Sequence, residues 1–218
     1  MKESLEYNRT VFINCPFDEE YQSLFEAMIF IILSCGFLPR TAKESMNSDE
    51  IRINKITTLI NESRYAIHDL SRVDLNTESP LPRFNMPLEL GIYIGCQKFG
   101  GGIHKQKKYL VFDKEPYRYK KFISDISGQD ISGHNNNPKI LIENIREWLA
   151  MVSPKAIPGS RFHLERYYQF KSELNDRCKE YKWDYDKLTY KEYITLINEF
   201  IIDKTVELIE IGLNEENN

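Results

Sequence analysis

From Val11 onward, short runs of β-type residues alternate with longer stretches whose apolar positions recur every three or four residues. That alternation calls for an α/β fold, a parallel sheet covered by helices on both faces. Five runs read as strands: Val11-Phe12-Ile13-Asn14, Gly36-Phe37-Leu38-Pro39-Arg40, Tyr65-Ala66-Ile67-His68-Asp69, Tyr109-Leu110-Val111-Phe112-Asp113 and a weaker one at Asp130-Ile131-Ser132. Between and after them, residues 20–33, 50–62, 86–98, 119–126 and 139–150 have helical spacing and predict the crossover helices. Right-handed crossovers bring every strand's carboxyl end to one edge, where an open α/β sheet keeps its ligand crevice.

Beyond residue 150 the texture changes. Ser153-Pro154-Lys155-Ala156-Ile157-Pro158-Gly159 reads as a linker, and the charge-rich remainder predicts two amphipathic helices, 161–181 and 189–212. Thr189 with Glu192 three residues on has the form of a capping box. The expected organisation is an α/β domain over residues 10–150 and a helical extension over 160–213, packed on that domain or on a partner subunit.

Composition narrows the function classes. The 218 residues are 41% hydrophobic and 28% charged, the balance of a globular protein, and a net charge of −4 provides no cationic field for nucleic acid. Met1-Lys2-Glu3-Ser4-Leu5-Glu6 lacks the apolar core of a secretory signal, so a cytoplasmic location is expected. The most apolar run, 27–33, is far too short to span a bilayer, so no membrane association is expected. Cys15, Cys35, Cys96 and Cys178 are scattered without metal-ligand spacing, and neither a metal nor a disulfide framework is expected.

The chemistry-bearing residues gather near the expected crevice. Glu89 is the only charged side chain between Phe84 and Cys96, in a stretch apolar nearly all round and therefore buried. Desolvating a lone carboxylate costs several kcal/mol unless something compensates, which makes Glu89 a functional candidate. Asn85 suits an N-cap and Pro87 a first turn, placing Glu89 near the positive end of the helix dipole. Gly91 and Gly95 would let the backbone approach the sheet or a ligand. The competing reading makes Glu89 a capping-box glutamate answering Met86 or Asn85, its head in solvent.

Asn14, Arg40, Asp69 with Ser71 and Arg72, and Asp113 end four strands with polar groups, and their convergence agrees with one site. Arg83, at the mouth of the Glu89 helix, and Arg52 are residues able to grip phosphate bidentately, although an ordinary surface role suits Arg52 better. Asp125, Gln129 and Asp130 are secondary, as turn residues around Gly128. His68 should point to the face opposite Asp69. No P-loop, no G-x-G-x-x-G after the first strand and no G-x-S-x-G elbow occurs, and Asn14-Cys15-Pro16 replaces the acidic pair of a phosphoacceptor receiver.

This constellation resembles the small flavodoxin-like superfamily that joins nucleoside 2-deoxyribosyltransferases with TIR and TIR-like domains. Val11 to Phe17 looks like the opening strand and Pro-Phe loop of the transferases. Residues 56–69, helix then strand running into Asp69-Leu70-Ser71, are similar to their second element, and Glu89-Leu90-Gly91 matches the Glu-Leu-Gly that carries their nucleophile. TIR domains likewise open near Phe-Ile and, in enzymatic members, carry a glutamate on the third helix. The chain departs from the transferase pattern at Cys15, where glycine is usual, and at Arg83-Phe84-Asn85-Met86.

The resemblance, over residues 10–150, implies a flavodoxin-like (TIR-like) three-layer sandwich with a five-stranded parallel sheet, followed by the helical extension. It implies cleavage of an N-glycosidic bond in a nucleotide or nucleoside, as an NAD glycohydrolase or cyclase or as a deoxyribosyltransferase. Glu89 and Asp69 would be catalytic: Glu89 would stabilise or attack the anomeric carbon, and Asp69 would hold a sugar hydroxyl or protonate the base. Asn14, Pro16 and Phe17 would line sugar and base, and Arg83 or Arg40 would meet phosphate, with Ser71, Asn85 and Met86 completing the substrate-binding set. NAD or another nucleotide would be substrate, with no cofactor. Self-association and a part in defence against phage are further implications. The alternatives are a non-catalytic TIR-like module that binds a nucleotide signal or a protein, and a scaffold without a small-molecule role.

Overall fold

The strand order β2-β1-β3-β4-β5 puts the first strand inside the sheet and makes the chain wind outward in two directions from it. In the computed structural model, which describes residues 5–44, 51–73, 84–126 and 130–215, with side chains to 208, the strands are β1 (Thr10–Asn14), β2 (Leu38–Thr41), β3 (Tyr65–Asp69), β4 (Lys108–Asp113) and β5 (Ile131–Gly133). All four neighbouring pairs are parallel, in the order of a flavodoxin-like α/β fold. Inner strands β1 and β3 are buried at every position, as strands covered on both faces must be.

The helices of this unit are α1 (Gln22–Ser34), α2 (Arg52–Glu62), α3 (Asn85–Phe99) and α4 (Pro138–Val152). Helix α1 packs against α4 as well as the sheet, which is why eight of its residues, from Leu24 to Ile32, are buried and its apolar character runs nearly all round. It ends in a Schellman closure: Gly36, at φ 81°, donates to Leu33 while Phe37 donates to Ile32. On the other face α2 and α3 bury Ile56, Leu59, Ile60 and Tyr93 against Phe12 and Ala66.

Three sequence-based expectations need correction. Residues 119–126 form two short 3-10 turns, Arg118–Lys121 and Ser124–Ile126, instead of a crossover helix. The apolar spacing is real, since Tyr119 and Ile126 pack with Leu90 and Val111, but two turns of helix opening on Arg118, Lys120 and Lys121 place cations against the dipole and lack a side-chain cap. Asn85 is the exposed first residue of α3, not its N-cap; Phe84 holds that place without a side-chain bond. Pro87 already removes one of the amide hydrogens that a cap would serve. Gly91 and Gly95 are not approached closely by the sheet: a Cβ on either would meet nothing within 4 Å.

The chain divides into two compact units, Met1–Ile157 and Pro158–Asn218. The second contains α5 (Ser160–Tyr181) and α6 (Tyr190–Glu215), joined through rings such as Phe170 and Phe200, 5.4 Å apart. The Thr189 hydroxyl and amide both donate to Glu192 at 2.8 Å, the expected capping box. Among the described residues no helix is long and apolar enough to cross a membrane.

Because Gly91 and Gly95 occupy open helical positions, Gly91→Ala and Gly95→Ala are each expected to raise stability by about 0.5–1 kcal/mol. Thermal melts of the two variants check this; a loss would mean that the bare backbone is used by something packed on it.

Candidate functional site

At the carboxyl edge, where the winding direction reverses between β1 and β3, the sheet leaves a cavity of about 360 Å³. Its walls are the end of β1 and the loop after it, from Ile13 to Asp18, with Ala42 following β2, Arg52 opening α2, and Asn85, Met86 and Glu89 from the start of α3. The volume is that of a small-ligand site.

Asn14 organises the floor. Its Nδ2 donates to the Met86 carbonyl at 2.9 Å and lies 2.9 Å from His68 Nδ1. The bond to a carbonyl fixes Nδ2 as the donor, so His68 Nδ1 accepts and the imidazole proton sits on Nε2. Burial lowers the His68 pKa to about 3, and the ring stays neutral among Phe12, Tyr93 and Tyr109. With both Nδ2 hydrogens engaged, Oδ1 is the group Asn14 can offer to a ligand.

Glu89 lies on the buried side of α3, only 7% exposed, and lines the same cavity. Among the described residues its carboxylate takes part in no hydrogen bond or ion pair. Burial pushes its pKa up to about 7, opposed by the Arg52 guanidinium. A head group at solvent, as the capping reading requires, is not what α3 presents. Arg52 stands at the cavity's exposed side and makes no ion pair among the described residues.

Asp69 is placed differently. It is fully buried and does not line the cavity. Tyr21 Oη donates to its Oδ2 at 2.6 Å, and Ser71 N–H to its Oδ1 at 2.8 Å. The amide of Asn136 donates to His134 Nδ1, which leaves the ring proton on Nε2, 3.1 Å from Asp69 Oδ2 in a bent contact. Burial alone would raise the carboxyl's pKa, but His134, Ser71 and Tyr21 outweigh it and hold it below the ordinary value. Asp69 is therefore an ionised, enclosed anchor.

The other sequence-picked residues divide the same way. Pro16, Phe17, Asn85 and Met86 line the cavity with Asn14 and Glu89. Arg40 Nε bonds both oxygens of Glu44, at 2.9 and 2.7 Å, and is not among the lining residues. Ser71 is buried beside Asp69, Arg72 pairs with Glu20 at 2.7 Å, and Asp113 is held by Arg118. Arg83, Gln129 and Gly128 lie outside the described residues.

Sequence reasoning assigned no part to Cys15 or Asp18 and undervalued Arg52. Cys15 lines the cavity, and burial, with Asp69 and Glu89 nearby, pushes its thiol well above the usual range, so it stays protonated. Asp18 caps the 3-10 turn Glu19–Tyr21 through the Tyr21 amide. The only advance signal for Arg52 was its place at the head of α2. No group of His, Cys, Asp and Glu among the described residues is arranged to hold a metal.

No protein-family model matches the chain, and neither does any curated protein or solved structure.

Two stability measurements follow. Between about pH 4.3 and 7 the unfolded chain ionises Glu89 while the folded chain does not, so the stability that protonated Glu89 provides is lost as pH rises through that window. Glu89→Gln is expected to be more stable than wild type at pH 8, on the order of 2 kcal/mol, with the gap closing near pH 4. Asp69 has the opposite sign, its stabilisation present at neutral pH and lost as pH falls through the lowered carboxyl value. Asp69→Asn should cost about 2–3 kcal/mol at pH 7, read by denaturant melts, because an amide cannot accept from all three donors.

Proposed function

We propose that the chain is an enzyme cleaving the N-glycosidic bond of a nucleotide or nucleoside, with Glu89 as the catalytic residue. The observation that carries this reading is Glu89 itself: a buried carboxylate without a hydrogen-bond partner among the described residues, facing a ligand-sized cavity at the sheet's switch point beside Asn14. An uncompensated acid costs folding energy. A reaction that develops positive charge beside it gives that cost a purpose.

The step balances simply. The bond between the anomeric carbon and the base nitrogen breaks, and its electron pair leaves with the base. The oxocarbenium-like centre is stabilised by the Glu89 carboxylate, and water adds to that carbon, releasing a proton. Asn14 Oδ1 accepts from a sugar hydroxyl, and Phe17 offers a ring face to the base.

The resemblance implies that Asp69 holds a sugar hydroxyl or protonates the base. Its enclosure and ionised state leave a neutral base without that donor. A base that departs without protonation, such as the cationic nicotinamide of NAD, therefore suits the site better than a plain deoxynucleoside. The likeness to TIR-like enzymes and deoxyribosyltransferases, carried by Glu89-Leu90-Gly91 and the Asn14-to-Phe17 loop, supports N-glycosidic chemistry at Glu89 for either substrate class.

The test is chromatography of NAD, NADP and deoxynucleosides incubated with the protein. Turnover of NAD is expected, reduced at least about 100-fold in Glu89→Gln. Its kcat/KM should rise with pH and level off above about 7 as Glu89 ionises. Tight binding without turnover would overturn the enzymatic reading and leave a nucleotide-sensing module.

A further inference from the structure

We propose that the cavity selects a phosphate-bearing ligand, a nucleotide over the corresponding nucleoside, and that Arg52 is the residue that grips the phosphate. The inference rests on the site reading above but narrows it to one substrate class.

The polar groups of the cavity are sorted by depth and by sign. Its floor presents acceptors, Asn14 Oδ1 and the Glu89 carboxylate, which call for ligand hydroxyls. Its outer side presents a guanidinium, that of Arg52, on the first residue of α2. Arg52 is close enough to influence Glu89 electrostatically yet forms no ion pair with it. Neighbouring arginines are engaged: Arg40 with Glu44 and Glu62, Arg72 with Asp18 and Glu20.

Other charges around the cavity leave Arg52 this role. Asp18, the remaining acid of the lining, accepts the Tyr21 amide at 3.1 Å and lies 3.4 Å from Arg72. Lys43, next in sequence to the lining residue Ala42, is a second cation near the cavity, its ammonium 4.8 Å from the centre of the Phe17 ring, which itself lines the cavity. Hydroxyl acceptors inside and a fork of guanidinium donors outside match a sugar that carries a phosphate. A nucleoside would meet the floor and leave Arg52 without a partner.

The experiment uses ligand pairs that differ by one phosphate: AMP with adenosine, and nicotinamide mononucleotide with nicotinamide riboside. Dissociation constants are measured by calorimetry on the full chain for wild type, Arg52→Gln and Arg52→Lys. Wild type should favour the phosphorylated member of each pair by about tenfold or more. Arg52→Gln should erase that preference while changing nucleoside affinity less than about twofold, and Arg52→Lys should keep part of it. Arg52 is exposed, so unchanged melting curves are expected and serve as the folding control.

Equal binding within each pair, binding of neither member, or an equal loss for both members in Arg52→Gln would overturn the proposal. Selective phosphate binding through Arg52 without any turnover would uphold it while removing the glycosidic reaction. Turnover without phosphate preference would do the reverse.

Discussion

The carboxamide of Asn14 holds together three parts of the chain far apart in sequence. From the end of β1 its Nδ2 reaches a histidine on β3 and a carbonyl in the first turn of α3. Each acceptor is buried, and leaving either unsatisfied would cost about 1–3 kcal/mol. The bonds therefore fix the start of α3 against the sheet at the point where crossovers diverge. Divergent helices cannot close over that point, and the cavity is the space they leave. Its floor is a hydrogen-bonded carboxamide, so the position of the opening is set by the two bonds of Asn14 and not by loose packing.

Two carboxylates near this floor show how placement decides chemistry. The pleat of β3 turns His68 toward Phe12 and Tyr93 and Asp69 toward Tyr21 and His134, on opposite faces. Asp69 is the more deeply buried of the two acids, yet it is the one held ionised, because donors converge on it. Glu89 keeps a little exposure and has no donor among the described residues, so burial governs it and its proton is retained to about pH 7. Cys15 feels both acids and is kept protonated, which removes a thiolate from the cavity's chemistry.

Much of this could be read in the sequence, for reasons that differ by element. The strands were legible because a short β-type run flanked by helical spacing rarely folds as anything but a strand buried on both faces, and β3 falls at Tyr65–Asp69 as its run of residues suggests. Glu89 was legible because a single charge in an apolar helix is conspicuous. The seclusion of Asp69 was not, since it depends on Tyr21, 48 residues away in sequence, and on a histidine beyond β5. Residues 119–126 misled because apolar spacing reports burial, which Tyr119 and Ile126 achieve in 3-10 turns as well as a helix would. Arg52 was undervalued for the same kind of reason: α2 crosses over β1, and nothing local says that its first residue ends beside a cavity.

The helix that carries Glu89 is a poor one by its own composition. Two glycines weaken its interior, and its first turn has no side-chain cap. What holds it is packing: Met86, Leu90 and Tyr93 are buried, and Tyr93 Oη lies 2.7 and 3.1 Å from the carbonyls of Arg64 and Lys108 at the amino ends of β3 and β4. A helix held by tertiary contacts has its position set by the sheet, so Glu89 is aimed by the same residues that form the core. The acid costs stability, the glycines add to that cost, and the surrounding apolar cluster offsets both. Such an arrangement is favoured where the geometry of one side chain matters more than the stability of the segment bearing it.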